Sequence, residues 1–147
     1  MFKHILVPTD GSKLSVKAVK SAVKLAKTLG ARITGFYAAP DFGSTYYGDG
    51  YILRAPAAKE QAKLAQEHAR RCLAAVEVEA AVEKVACQVF QTVSDSPYEA
   101  IIAAAKKNKC DLIVMASHGR RGLSALVLGS ETQKVLIHSK IPVLVCR

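Results

Sequence analysis

The chain has 147 residues, half of them hydrophobic and 22% charged, a balance that supports a buried core and excludes compositional disorder. Its length predicts a single domain over residues 1–147. No stretch approaches the roughly 18 uninterrupted apolar residues of a membrane span, and the amino end lacks a signal-peptide core, so we expect a cytoplasmic protein that does not enter the membrane.

The net charge of +9 favours anionic partners. However, the basic residues are spread along the chain, with no run longer than pairs such as Lys106–Lys107 and Arg120–Arg121. Aromatic residues are not interleaved with them, as they are in many single-strand binders. A solvated basic surface is therefore favoured over a nucleic-acid-binding one.

The four cysteines, Cys72, Cys87, Cys110 and Cys146, form no C-x-x-C pair and have no paired histidines that would indicate zinc. They are predicted to be reduced, mostly buried thiols. A thiol-based sensor using Cys72 or Cys146 is the alternative.

The first half of the chain predicts two strands around a helix. Residues 3–10 form a short apolar run typical of a buried parallel strand. Ser12 is placed to cap a helix that Gly30 ends in a left-handed conformation, and residues 31–39 predict the second strand. Residues 40–56, rich in Gly, Pro and aromatic residues, predict a long loop, either a flap over a ligand or a dimer-contact or variable surface loop.

The second half continues the alternation. Residues 57–77 predict an amphipathic covering helix, and 82–93 a half-covered strand. Ser96 to Glu99 reads as a capping box that opens a short helix through Ala105. Residues 110–117 and 141–146 predict the last two strands, with a helix beginning at Ser130 between them.

Five strands alternating with four helices predict an α/β fold, an open five-stranded parallel sheet with helices on both faces, Rossmann-like in type. Ligands of such sheets bind at the carboxyl ends of the strands, where the strand order reverses. The loops at these ends are polar or contain glycine, as in PTDGS after the first strand and MASHG after the fourth.

Two features of these loops suit a phosphorylated ligand. Gly119 allows close backbone approach, and Gly129 precedes a helix whose free N–H groups would attract phosphate. The alternative is that Ser130 and Gln133 form a capping box. Asp10 is either a helix-cap device or a partner for a ribose hydroxyl.

Other signatures are weaker. Residues 43–50 have P-loop spacing, but Asp49 stands where lysine is required, and no G-x-G-x-x-G follows the first strand. His4, His68 and His138 are interpreted as packing or surface residues. His118 differs because it lies in the candidate loop.

The spacing Ala116-x2-Gly119-x9-Gly129-Ser130, the start KHILVPTDGS and the end IPVLVCR resemble the universal stress protein family over the whole chain. This resemblance implies a fold of the adenine nucleotide alpha hydrolase type. It also implies that Pro8, Thr9 and Asp10 border adenosine and that Ala38 flanks adenine. The ribose and phosphates would be lined by Met115, Ala116, Gly119, Gly129, Ser130, Glu131 and Thr132, with His118 and Arg120 in the same loop.

The resemblance implies a stress-response factor that binds ATP, ADP or AMP, with Mg or Mn bridging the phosphates. It also implies a homodimer that pairs residues 141–146. Two alternatives are a slow ATPase or phosphotransferase using His118 and Asp10, and a stress factor that binds protein or nucleic acid without nucleotide. Ala116 replaces the family's first glycine, and we expect its methyl group to be tolerated at a strand end.

Overall fold

The structure is a computed structural model, and it describes residues 1–42, 55–120 and 127–147. Most of the predicted 40–56 loop, the P-loop-like 43–50 segment and Arg121 therefore lie outside the described residues. The elements in chain order are β1 (His4–Pro8), α1 (Lys13–Leu29), β2 (Arg32–Ala39), α2 (Ala55–Val82), β3 (Cys87–Val93), α3 (Pro97–Lys107), β4 (Leu112–Ala116), α4 (Ser130–His138) and β5 (Val143–Cys146).

All five strands are parallel and lie in the order β3-β2-β1-β4-β5, which confirms the predicted α/β fold. From β1 the chain builds β2 and β3 to one side, then crosses to build β4 and β5 on the other. The order reverses between β1 and β4, so the loops after these two strands are where a ligand cleft is expected.

The core lies on both faces of the sheet because the three inner strands point their apolar side chains alternately to one face and the other. On one face, Ile5 and Val7 of β1 pack in a cluster that includes Val23 of α1 and Val76 of α2. On the other, Leu6 packs in a cluster that includes Ile101 of α3 and Val135 of α4. Helices α1 and α2 thus cover one face, and α3 and α4 cover the other.

The predicted ends of α1 are confirmed. The Ser12 side chain accepts a hydrogen bond from the Ser15 amide, and Gly30 has a φ of 64° in the left-handed region. Among the described residues, no helix is both long enough and apolar enough to cross a membrane.

The predicted capping box at Ser96 and the alternative box at Ser130 are both wrong. Ser96 is the N-cap of α3 but makes no side-chain cap hydrogen bond, and the Glu131 carboxylate accepts from the Tyr98 amide instead. In α4 the N-cap is Gly129, Ser130 is the first helical residue, and the Gln133 side chain donates to the Leu128 carbonyl. In both cases a contact outside the local motif takes the place of the box.

Several predicted boundaries also differ. Helix α2 spans Ala55–Val82 rather than 57–77, so β3 begins at Cys87 rather than at 82. The amide of Val85 donates to the Ala80 carbonyl and closes the helix end, so Val85 belongs to that turn and not to the strand. Helix α3 runs on to Lys107, and the other strands are one to three residues shorter than predicted.

Candidate functional site

A cleft of about 580 Å³ opens at the carboxyl ends of the strands, at the reversal between β1 and β4. It brings together every residue that the sequence placed in a ligand site, from four separate loops and helix ends. These residues are Pro8, Thr9, Asp10, Ala38, Met115, Ala116, His118, Gly119, Arg120, Gly129, Ser130, Glu131 and Thr132. Their roles toward a ligand remain predictions.

Asp10 joins the two loops at the reversal. Its Oδ1 accepts a hydrogen bond from the Ser12 amide at 3.0 Å, and its Oδ2 accepts one from the Arg120 amide at 2.8 Å. Burial by itself would raise the pKa of Asp10, but the hydrogen bonds from Ser12, Arg120 and Ser15 together outweigh it and lower the pKa below its ordinary value. Asp10 is therefore a carboxylate at neutral pH.

The two glycines of the motif make these loop contacts possible. A Cβ on Gly119 would overlap Asp10 Oδ2. A Cβ on Gly129 would lie 3.0 Å from the Cα of His118, and the Gly129 amide donates to the Ser117 carbonyl at 2.8 Å. Packing within the protein thus favours glycine at both positions, independently of the close approach to a ligand that the sequence predicts.

The N-terminus of α4 borders the cleft. Its first intrahelical hydrogen bond runs from the Gln133 amide to the Gly129 carbonyl, so the amides of Ser130, Glu131 and Thr132 have no partner within the helix. Thr132 is buried and its hydroxyl donates to the Ala116 carbonyl at 3.0 Å, which ties this turn to the end of β4. The turn is held in place with its amides available to an anion.

Glu131 lines the same end of the cleft, but its carboxylate has partners within the protein. One oxygen accepts from the Tyr98 amide at 2.9 Å and the other from the Lys134 ammonium at 3.0 Å. The amide in the first turn of α3 and the Lys134 ammonium therefore offset part of the negative charge with which Glu131 would repel a phosphate.

Ala116 is the last residue of β4 and is paired with Cys146 of β5. Among the described residues, the non-glycine residues with positive φ are Lys84 and Lys109. Ala116 therefore has an ordinary backbone conformation, and its methyl group causes no backbone strain.

Sequence reasoning did not include seven further residues that line the cleft: Ser15, Tyr37, Pro40, Ser94, Asp95, Pro97 and Ile101. Ser94 and Asp95 directly follow β3, so the rule that found the other loops also applied to this strand end. Ser15 lies in the first turn of α1, where its hydroxyl is 3.2 Å from that of Thr9. The sequence contains no local signal that would have added it.

Two of the three histidines predicted to be packing or surface residues have that role, and His68 does not. His4 is buried and hydrogen-bonded to Thr34, and His138 packs against Tyr98, as expected of packing residues. His68 instead reaches the loops around the cleft, with Nε2 3.1 Å from the Asp10 carbonyl. His118 lies in the cleft wall with its ring beside the Ser117 hydroxyl.

The cysteines are free; Cys72 and Cys110 are buried, and Cys87 and Cys146 are partly exposed. Burial raises the pKa of each of the four, to about 11 for Cys110. Because the thiolate is the reactive form, a raised pKa makes these thiols less reactive at neutral pH than an ordinary cysteine. This counts against the thiol-sensor alternative. No group of three or more metal-binding side chains occurs among the described residues.

An open parallel sheet that reverses between β1 and β4, with a glycine-bearing loop and a free helix N-terminus at the reversal, defines a doubly wound α/β protein. A model of the universal stress protein family matches residues 1–147, and the chain belongs to this family.

Curated relatives extend over the whole chain. A universal stress protein of Thermus aquaticus is 33% identical over 150 residues, covering all of both chains. The universal stress protein MJ0531 of Methanocaldococcus jannaschii is 30% identical over 152 residues, covering all of this chain and 83% of the relative.

Solved structures have the same fold. The structure of MJ0577 from Methanocaldococcus jannaschii superposes with a TM-score of 0.81 at 25% identity, covering 99% of this chain and 96% of that one. A universal stress protein in complex with cAMP has a TM-score of 0.73 at 23% identity, covering 99% and 97%. One from Archaeoglobus fulgidus in complex with dAMP has a TM-score of 0.67 at 15% identity, covering all of this chain and 98% of that one.

Proposed function

We propose that this chain binds an adenine nucleotide, ATP or one of its products ADP and AMP, and acts as a stress-response regulatory factor. The observation that carries the proposal is the cleft, where the free amides of the first turn of α4 and the Asp10 carboxylate line one space of about 580 Å³. A cavity of this size suits a nucleotide-sized ligand. A site with donors at one wall and a carboxylate at another can orient a molecule that has a phosphate and hydroxyl groups.

The cleft walls differ in chemistry. Phosphates suit the α4 turn, because helix N-termini combine unpaired N–H groups with a favourable dipole. A ribose hydroxyl suits Asp10, since its carboxylate lines the cleft and a carboxylate accepts up to about four hydrogen bonds. The base suits the space between Ala38, Tyr37 and Ile101, which offer apolar surface and backbone groups.

Two proteins of the same fold were solved with cAMP and with dAMP. At 23% and 15% identity, their likeness to this chain carries the fold alone. The proposal therefore rests on the residues of this chain, and the two ligands make adenine nucleotides the first compounds to test.

A divalent ion would enter with the nucleotide. The described residues offer no cluster of metal-binding side chains, so Mg or Mn would be held mainly by phosphate oxygens and water. When bound, such an ion neutralises part of the phosphate charge. The slow-ATPase alternative has less support, because the hydrogen bonds that lower the pKa of Asp10 also make its carboxylate a weaker base.

We also propose a homodimer through the last strand. β5 is an edge of the sheet, residues 141–147 contain no acidic residue, and Leu144 on β5 is 44% exposed. An uncharged, exposed edge strand invites pairing with a second copy. Sedimentation equilibrium is expected to give a dimer that Val145→Pro converts to monomer, because proline removes a ladder N–H. A monomeric wild type would reject this part of the proposal.

The nucleotide proposal is tested by calorimetric titration of nucleotide-free protein with ATP, ADP and AMP, with and without magnesium. Ser130→Asp is the informative variant. Ser130 is exposed and first in α4, where an acidic residue favours the helix but repels phosphate. Gln61→Glu adds a negative charge at an exposed position of α2 and serves as the matched control.

We expect binding in the wild type and in Gln61→Glu, and a loss of at least about tenfold in Ser130→Asp, equal to about 1.4 kcal/mol. Adenosine is expected to lose much less, because it has no phosphate. Absence of binding by every nucleotide to the folded wild type would reject the proposal.

A further inference from the structure

Three polar groups converge on one ring nitrogen of His68. Nε2 lies 3.1 Å from the carbonyl oxygen of Asp10, 3.3 Å from Nη1 of Arg120 and 3.3 Å from Sγ of Cys72. The Tyr37 ring packs edge-on against the imidazole, with 5.8 Å between ring centroids. A single imidazole nitrogen either donates or accepts a hydrogen bond, so these contacts cannot all be satisfied at once.

The contacts divide into two exclusive sets. With a proton on Nε2, His68 donates to the Asp10 carbonyl and cannot accept from Arg120, because a guanidinium is only a donor. Without that proton, Nε2 accepts from Arg120, and the Asp10 carbonyl loses this donor. The Cys72 thiol is compatible with both, since sulfur is a weak donor and a weak acceptor.

We propose that His68 is a positioning residue for Arg120. Neutral His68 with its proton on Nδ1 holds the guanidinium at the α2 side of the cleft, and the imidazolium, which has a proton on both nitrogens, releases it to the phosphates of a bound adenine nucleotide. The inference rests on the proposed nucleotide binding and adds the residue that couples this binding to a proton. Arg120 is suited to the role because it is exposed, lines the cleft and has its backbone fixed by Asp10.

The exclusive contacts determine the direction of the coupling. A proton on Nε2 and the hydrogen bond from Arg120 to Nε2 cannot exist together. Departure of Arg120 to a phosphate therefore favours uptake of a proton. The titratable and charged groups that contact His68 or line the cavity beside it are Asp10, Lys20, Tyr37, Arg71, Cys72, Glu79 and Arg120.

Proton exchange does not require an empty nucleotide cleft. His68 also lines a second cavity of about 520 Å³ between α1 and α2, and Thr9 borders both cavities. The imidazole thus faces a cavity that is distinct from the cleft, and its Nε2 contacts Asp10 and Arg120 of the cleft wall. It can gain a proton from that side while a nucleotide occupies the other.

The coupling predicts tighter nucleotide binding at acid pH. Between about pH 8 and pH 6, where histidine ordinarily titrates, the affinity for ATP is expected to rise at least about fivefold, with net proton uptake on binding. Adenosine is expected to show neither effect, because it has no phosphate to draw Arg120 away.

The test is calorimetric titration of the full chain with ATP, across that pH range and in buffers of different ionisation enthalpy. His68→Gln is the conservative variant, because its amide can donate to Asp10 or accept from Arg120 but does not titrate. ATP itself takes up a proton in this range, so the proton uptake of His68→Gln is subtracted from that of the wild type. Arg120→Ala removes the group that is released.

We expect the extra proton uptake in the wild type to be absent from both variants, with their thermal midpoints confirming that both fold. ATP binding whose proton uptake is the same in the wild type and in His68→Gln would overturn the role of His68 and leave the proposed function intact. No ATP binding at any pH would reject the proposed function, and this inference with it.

Discussion

The carboxylate of Asp10, two residues after β1, accepts a hydrogen bond from the backbone amide of Arg120, four residues after β4, at 2.8 Å. This contact joins the loops on either side of the point where the strand order reverses. The cleft wall is therefore fixed by a contact between residues 110 positions apart in the sequence.

Gly119→Ala is expected to destabilise the protein by about 1–3 kcal/mol, as overpacking does, because its Cβ would overlap Asp10 Oδ2. Urea unfolding measures the change. The double variant with Asp10→Ala removes the atom that is overlapped, so the cost of the added methyl group should be much smaller in that background. Equal costs in both backgrounds would show that Gly119 has another role.

Thr132→Val is expected to cost about 1–3 kcal/mol, because it removes the donor to the Ala116 carbonyl at a buried position. Thr28→Val is the matched control. The hydroxyl of Thr28 donates to the Lys24 carbonyl on the exposed face of α1, and its loss should cost less than about 0.5 kcal/mol. A similar cost at both positions would contradict the role assigned to Thr132.

Glu131→Ala is expected to loosen the start of α3, because the carboxylate accepts from the Tyr98 amide across the two helices. A lost cap costs about 0.5–2 kcal/mol, and hydrogen exchange should quicken at the Tyr98 amide in particular. Lys134→Ala is the control, since it removes the exposed ion pair with Glu131 and keeps this cap. Unchanged exchange at Tyr98 in Glu131→Ala would refute the assignment.

Stability is expected to fall as the pH drops below about 6.5, the ordinary histidine value. Burial, and then the charge of Arg32, lower the pKa of His4 in the folded state. The unfolded chain therefore takes up a proton that the folded chain resists, so stability is lost from pH 6.5 downward until the folded-state pKa is passed.

Urea midpoints measured between about pH 8 and pH 5 test this prediction. His4→Gln should flatten the profile in that range, whereas His138→Gln, at an exposed position, should leave it as in the wild type. A His4→Gln profile as steep as that of the wild type would assign the pH dependence to another group.

Local patterns predicted the number, type and order of the elements, because each reports interactions within a few residues. The apolar stripe of α1, its Ser12 cap and its Gly30 end all act within one turn of the chain. The same locality explains the errors. The amide of Tyr98 is capped by Glu131, which lies 33 positions away, and nothing near Ser96 reveals it.

The position of the site was also predictable, because parallel strands bring their carboxyl ends to one edge and the order reverses between β1 and β4. The contacts between the residues of the site were not predictable from the sequence. Ser15 and His68 are separated from the glycine motif by a large part of the chain, yet one lines the cleft and the other contacts Asp10 and Arg120.

By itself the sequence determined an alternating α/β chain with polar, glycine-bearing loops after its strands, since hydrophobic period and turn chemistry are local properties. Only the tertiary structure decided that Gly119 makes room for Asp10, and that His68 lies between Asp10 and Arg120. These relationships depend on how the sheet and its helices pack, and packing brings together atoms whose separation along the chain carries no signal.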